Sequence, residues 1–305
     1  MSIATAIVTQ ADAALSRMHR KLKRYLERGR IAKKKELQLT LGKAYERAWN
    51  GFPCVFALST GRTGTQTMAS MLSLSPQVLA QHEPAPRLVR ASYEAFMDEQ
   101  EGWMERWQPF ALAVRDDFVL EASAEGRVYV ESNNRITYMA PAFAAAFPDS
   151  RFIFSHRDPY QVIRSGMQRG AYQGGNMAWN FARIHPRTDD PAYAAWDSYS
   201  NLQREAWRWA RINGYARAFF DTLPEERRLD LPARAFFSND MEIYRKLFAF
   251  VGVPCPDEGA IRAVTGKQLN AQAHFDGLDF EWTDALRAEV RPIVQPVAEA
   301  LGYTV

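Results

Sequence analysis

From residue 52 onward, short apolar runs alternate with longer stretches of helical periodicity. Five runs read as strands: residues 55–59, 77–81, 128–132, 151–155 and 230–237. Each is short and apolar, and each stops at a hydroxyl, a charge or a turn residue, which is the pattern of buried strands. Between them, residues 68–74 predict a helix closed by Ser75-Pro76, and residues 87–118 predict a longer one with Trp103, Trp107 and Phe110 as packing anchors. An alanine-rich segment to Phe147, a helix from Pro159 to about Met167, a long one over 193–220, one over 240–251 and a short one over 282–290 complete the series. Proline at the first position of the helix after Asp158 fits, because its missing N–H would be unpaired there anyway. Strands alternating with helical crossovers predict an α/β fold, an open and mainly parallel sheet flanked by helices. Ligands then belong at the carboxyl edge of the sheet. Residues 170–190, rich in Gly, Asn, His, Pro and Asp, have little periodicity and read as a substrate loop or cover, with Tyr172, Asn176, His185 and Arg187 available to an acceptor.

The pattern before residue 52 is different. Leu15, Met18, Leu22 and Leu26 recur at helical spacing among basic residues, and Leu37 and Leu41 resume a stripe after Gly29. The division expected is a basic helical extension over 1–51 and an α/β domain over 52–305. From Arg17 to Arg47 there are twelve Lys or Arg and three Glu, a balance of +9 in a chain whose total is +3, so the remainder carries −6. The basicity is therefore local. A helix pair docked on the body, peripheral contact with an anionic membrane and a homodimer seam are the readings left open for it. Nucleic acid is disfavoured, since no aromatic platform or module signature accompanies the charge.

Composition narrows the class further. At 305 residues, 47% hydrophobic and 24% charged, the chain can bury a large core. Cys54 and Cys255 are too few and too far apart for a disulfide framework or a zinc site, and no Asp/His cluster has ligand spacing, so no metal is expected. Cysteine usage, with no signal peptide or apolar run of membrane-spanning length in view, points to a cytoplasmic protein, peripheral on the inner membrane surface if the basic helices engage it.

The candidate chemistry gathers after the first strand. Ser59-Thr60-Gly61-Arg62-Thr63-Gly64-Thr65-Gln66-Thr67 joins an apolar strand to a helix start. Glycines let the backbone approach a ligand and adopt positive φ. The helix start leaves N–H groups free for an anion, the threonines add hydroxyls, and Arg62 adds a permanent charge. The pattern is not G-x-x-x-x-G-K-[ST], because Gln66 and Thr67 stand where that loop needs Gly and Lys. The loops after the first four strands bring Arg62, His82, Glu83, Glu131 and Arg157 to one edge.

Two stretches then carry a family resemblance. The loop from Ser59 to Thr65 resembles the phosphosulfate loop of sulfotransferases that use 3'-phosphoadenosine-5'-phosphosulfate (PAPS). Arg157-Asp158-Pro159-Tyr160-Gln161-Val162-Ile163-Arg164-Ser165 resembles their 3'-phosphate segment. The order is right, each motif sits at a strand-to-helix junction, and the likeness runs loosely from Phe52 to about Asn270. It implies a P-loop-like three-layer sandwich, PAPS as co-substrate, and a hydroxyl acceptor on a carbohydrate or glycolipid. It assigns Gly61, Arg62, Thr63, Gly64, Thr65, Gln66 and Thr67 to the 5' phosphosulfate, Arg157 and Ser165 to the 3' phosphate, and Gly266 and Lys267 to a closing loop. Arg62 would stabilise the bridging oxygen, a place where many members carry lysine. Glu83 is the first candidate base, because many carbohydrate-acting members are thought to place a glutamate after this strand. His82 is the second, since a free imidazole titrates near ~6.5. Glu131 is the third, although Glu131-Ser132-Asn133-Asn134 lacks the lysine of the family's Glu-Lys-Ser/Thr-Pro. The competing readings are a nucleotide kinase or other P-loop phosphotransferase, and a non-catalytic nucleotide- or membrane-binding module.

Overall fold

The computed structural model describes residues 54–98, 100–173, 183–266 and 279–305. The expectations for the basic extension, its membrane or dimer contacts, Lys267 and residues 174–182 lie outside these. No described helix is long and apolar enough to cross a membrane.

Five parallel strands form one sheet: β1 (Cys54–Ser59), β2 (Val78–His82), β3 (Val128–Ser132), β4 (Arg151–Ser155) and β5 (Arg228–Asp230). Their spatial order is β2-β3-β1-β4-β5. β1 is central and buried throughout, as an uninterrupted apolar run must be when both sheet faces are covered. Its side chains alternate between two cores. Val55 and Ala57 join Ile153 of β4 under α1 (Thr65–Leu72), α8 (Met241–Val251) and α9 (Glu258–Thr265), with Met68, Leu72, Leu247, Phe248 and Ile261. Phe56 points the other way, into a ring cluster with Tyr129, Phe143, Phe147 and Phe152. α4 (Ala140–Ala146) supplies Phe143 to this cluster. On the same face, α5 (Pro159–Met167), α6 (Asn201–Asp221) and α10 (Asp284–Ala300) pack through Val162, Trp209, Ala216, Val290 and Val294. Each side of the sheet is thus sealed by helices, and only its ends are free to hold a ligand.

Several boundaries differ from the sequence reading, each for a local reason. The helix expected over 87–118 is two, α2 (Val89–Met97) and α3 (Trp103–Ala124), because the chain turns at Gly102 with φ 75°. The helix expected from 193 begins at Asn201, where Ser200 and Gln203 make a reciprocal capping box. The fifth strand is three residues long. Pro232, without an N–H for a ladder, turns residues 233–236 into the short helix α7 (Ala233–Phe236). The C-terminal helix runs on through Pro292 and Pro296 to Ala300. Burial of Val290, Val294 and Ala298 on one stripe against α6 outweighs the hydrogen bonds the prolines remove.

Candidate active site

β1 leads through α1 to β2 on one side of the sheet, and β4 leads through α5 and α6 to β5 on the other. Their following loops therefore diverge and leave a crevice between neighbouring strand ends. The β1 loop is bent by positive φ at Gly61 (78°), Arg62 (64°) and Gly64 (92°). Ser59 Oγ accepts the Gly61 N–H at 3.0 Å, and Thr60 Oγ1 donates to the Gly61 carbonyl at 3.0 Å. A Cβ on Gly61 would lie 2.9 Å from Asn134 Nδ2, and one on Gly64 would lie 2.5 Å from the Phe237 ring. The positive φ values favour glycine at both positions, and a side chain at either would also have to displace the facing Asn134 amide or Phe237 ring. Gly64 is also the N-cap of α1 and brings no capping side chain, so the first-turn N–H groups of Thr65, Gln66 and Thr67 stay open to an external anion. Thr63, wholly buried, has a hydroxyl with no partner. A buried hydroxyl without a partner is unfavourable unless a ligand completes it.

The second predicted segment meets the first directly. Asp158 caps α5 by accepting the Gln161 N–H at 3.0 Å, which fixes the turn that carries Arg157. Arg157 Nη1 donates to the Arg62 carbonyl at 3.0 Å, and its Nε donates to Gln161 Oε1 at 2.7 Å. Arg62 Nε donates to Ser165 Oγ at 3.0 Å. Residues 103 positions apart are laced at one point. Arg62 has its pKa lowered by burial first, then by repulsion from Arg169 and Arg157. Burial also lowers that of Arg157, against the pull of Asp158 and Tyr303. Among the described residues no carboxylate forms an ion pair with Arg62, Arg157 or Arg169. Arginines remain charged through such shifts, so positive charge is concentrated in a half-dry crevice whose natural complement is an anion.

His82 ends β2 on the far side of β3, opposite Ser132 in register, and Glu83 follows it at the same edge. His82 Nδ1 lies 3.0 Å from the Ser132 carbonyl and 2.9 Å from Ser132 Oγ. Ser132 Oγ donates its own proton to the Thr65 carbonyl at 2.8 Å, so both groups facing Nδ1 are acceptors. The proton of a neutral His82 therefore sits on Nδ1, and Nε2 carries the lone pair. Glu83 adopts φ 44° and donates its N–H to the Ser132 carbonyl at 3.2 Å, while its carboxylate makes no hydrogen bond or ion pair among the described residues.

Glu131 is placed differently from His82 and Glu83. It shares a strand face with Tyr129 and points into the core, where it is wholly buried against Arg115 of α3. Arg115 Nε and Nη2 donate to its two oxygens at 2.5 and 2.8 Å, Tyr129 donates at 2.7 Å and Asn133 Nδ2 at 2.8 Å. Both its oxygens are engaged and its side chain is shielded from water, so the carboxylate is matched within the protein by Arg115. Gly266, the C-cap of α9, has an ordinary helical φ of −69°. Ser132, Asn134, Arg115 and Arg135 matter to this edge and were not singled out from the sequence as acting residues. Only the unusual Ser-Asn-Asn-Arg after the third strand marked the place.

Comparison with known proteins agrees with this geometry. Residues 53–257 match the model of the sulfotransferase family. The solved sulfotransferase domain from the curacin biosynthetic pathway superposes with a TM-score of 0.51 at 14% identity, covering 83% of this chain and 99% of that one. The chain is also similar to the sulfotransferase domain of the Synechococcus PCC 7002 olefin synthase (TM-score 0.49, 15% identity, 83% and 95% covered). A third similar structure is a sulfotransferase from Alicyclobacillus acidocaldarius (TM-score 0.47, 15% identity, 83% and 97% covered). No curated protein sequence matches. With the family model spanning two thirds of its length and the two motif segments joined at one crevice, this chain belongs to the sulfotransferase family and is an enzyme of that class.

Proposed function

We propose that this sulfotransferase takes its sulfuryl group from PAPS and transfers it to a hydroxyl of a carbohydrate or glycolipid. The observation that carries the donor assignment is the direct lacing of Arg62 to Ser165 and of Arg157 to the Arg62 carbonyl. One anion loop would suit any phosphate. Two, held at a fixed separation on neighbouring strands, suit a nucleotide phosphorylated at both ends. The residues fit it: the orphaned Thr63 hydroxyl, the uncapped turn of α1 and the glycine cradle all favour an anionic group in the β1 loop.

In the reaction the acceptor oxygen forms a bond to sulfur as the bridging S–O bond breaks. The electron pair leaves on the phosphate of 3'-phosphoadenosine-5'-phosphate. Arg62 offsets the charge that develops on the bridging oxygen, and as a permanent cation it does so without donating a proton. Glu83 takes the acceptor proton, because its carboxylate has no partner to compete for it. His82 is the second reading, favoured by the Nδ1 proton that leaves Nε2 free.

Transfer from labelled PAPS to a panel of sugars and glycolipids tests the function. Arg157→Ala should lower both nucleotide affinity and turnover, and unchanged affinity would sink the 3'-phosphate assignment. For the N-terminal segment, the +9 balance supports peripheral contact with anionic membrane. Vesicle flotation of the full chain against one starting at Ala48 tests it, and equal binding would remove it.

A further inference from the structure

Beside the crevice lies a second cationic feature that the donor does not use. After β3 the chain makes a 3₁₀ turn, Asn134–Met139. In such a turn, side chains three residues apart eclipse one another. Arg135 and Tyr138 therefore share a face, and the tyrosine lies within electrostatic reach of the guanidinium. Asn134, one residue earlier, abuts Gly61 of the donor loop, and Glu83 is another charge felt by Arg135. Arg135 thus follows the residue that abuts the donor loop and lies within the field of the proposed base.

Both side chains are left incomplete. Arg135 is half-buried, its Nε is shielded from solvent without a partner, and its guanidinium makes no hydrogen bond or ion pair among the described residues. Tyr138 is buried, and its hydroxyl is likewise without a partner. The tyrosine ring is nevertheless fixed, 4.5 Å from Phe96 and 5.1 Å from Tyr215 between centroids. The neighbouring Arg208 is a contrast. Its Nε and Nη2 donate to Glu205 at 2.8 and 2.5 Å, so its charge is already matched. Burial lowers the pKa of Arg135 although Glu83 pulls the other way. A shielded cation and a buried hydroxyl, both on one face and both unpaired, are unfavourable in the protein alone. An anion with several acceptor oxygens that reached both would complete them.

We propose that Arg135 and Tyr138 form an acceptor subsite for an anionic group, a carboxylate or a phosphate ester, carried near the hydroxyl that is sulfated. The inference rests on the reading of this edge as the sulfuryl-transfer site, and it narrows the acceptor from any sugar to an acidic one. Arg135 thereby sets specificity, orienting the acceptor beside Glu83 without touching the transferred group.

The test uses the full chain, its Arg135→Met variant and Tyr138→Phe, with thermal melting as the readout. Without ligand, Arg135→Met should melt at or above the parent temperature, since it removes an unpaired cation; a drop of several degrees would mean that Arg135 holds the fold and would overturn the proposal. With saturating 3'-phosphoadenosine-5'-phosphate, inorganic phosphate and acetate are then titrated separately. At least one should raise the melting temperature of the parent roughly 3 °C more than that of Arg135→Met, as for an anion at about ten times its Kd. Tyr138→Phe should lose part of that excess. Phosphate alone acting points to a phosphate ester, acetate alone to a carboxylate. Equal shifts in parent and variant, or none, refute the subsite. If the nucleotide itself shifts neither protein, the donor assignment fails, while the difference between parent and Arg135→Met still reports on Arg135.

Discussion

Replacing Glu131 by Gln separates scaffold from catalyst more sharply than any other single change. The carboxylate receives two hydrogen bonds from Arg115, one from Tyr129 and one from Asn133, and both charged side chains are fully shielded from water. Removing one partner of such a pair leaves the other as a buried, uncompensated charge, at about 3–5 kcal/mol. Arg115 Nη1 also donates to the Val114 carbonyl at 2.7 Å, so part of its hydrogen bonding survives and the lower end of that range applies. About 3 kcal/mol corresponds to a fall in melting temperature of roughly 6–12 °C for a domain of this size. In urea, the midpoint should move with little change in slope. The double variant Arg115→Met/Glu131→Leu removes both charges and should regain much of the loss, because apolar replacements of buried ion pairs are often neutral or better. Turnover per folded molecule in that double variant should stay within about tenfold of the parent, well short of the ~10²–10⁴-fold that a general base contributes. A Glu131→Gln protein that melts normally but loses turnover a thousandfold would refute the structural assignment and return Glu131 to the chemistry.

Other consequences follow from the same geometry. Glu83→Gln should lower kcat by about 10²–10⁴-fold with nucleotide affinity retained; if His82→Gln shows that loss instead, the base is the imidazole. Ser165→Ala deletes the hydroxyl that accepts from Arg62 Nε, and should weaken nucleotide binding by roughly ten- to a hundredfold in calorimetry. Gly64→Ala places a Cβ 2.5 Å from the Phe237 ring at a φ of 92°, and should destabilise by about 1–3 kcal/mol in urea unfolding. Phe237→Ala in that background should restore the part due to the clash and leave the part due to backbone strain.

The sheet was legible because its strands are short, mostly apolar runs, as parallel strands covered on both faces tend to be. Four of five strand positions follow from that alone. The fifth failed because residues 230–237 are apolar enough for a strand, while Pro232 decides locally for a turn. The glycines and the arginine of the β1 loop stood out because such residues at a strand-to-helix junction mark a sharp turn, and the structure brings Arg62, Arg157 and Ser165 to one point. The partner of Glu131 was not legible: Arg115 lies on a helix whose apolar periodicity gives no sign of a buried charge. Arg135 was passed over for the complementary reason. A surface arginine and a shielded one look alike in sequence, and only the fold shows which has been left without a partner.

The most direct test of the account is calorimetry of the full chain with 3'-phosphoadenosine-5'-phosphate, run beside 5'-AMP and ATP. Two anion sites laced through Arg62, Ser165 and Arg157 predict that the doubly phosphorylated adenosine binds at least tenfold more tightly than either, and that Arg157→Ala abolishes the preference. Equal affinity for the three nucleotides, or a preference for ATP that survives Arg157→Ala, would contradict it.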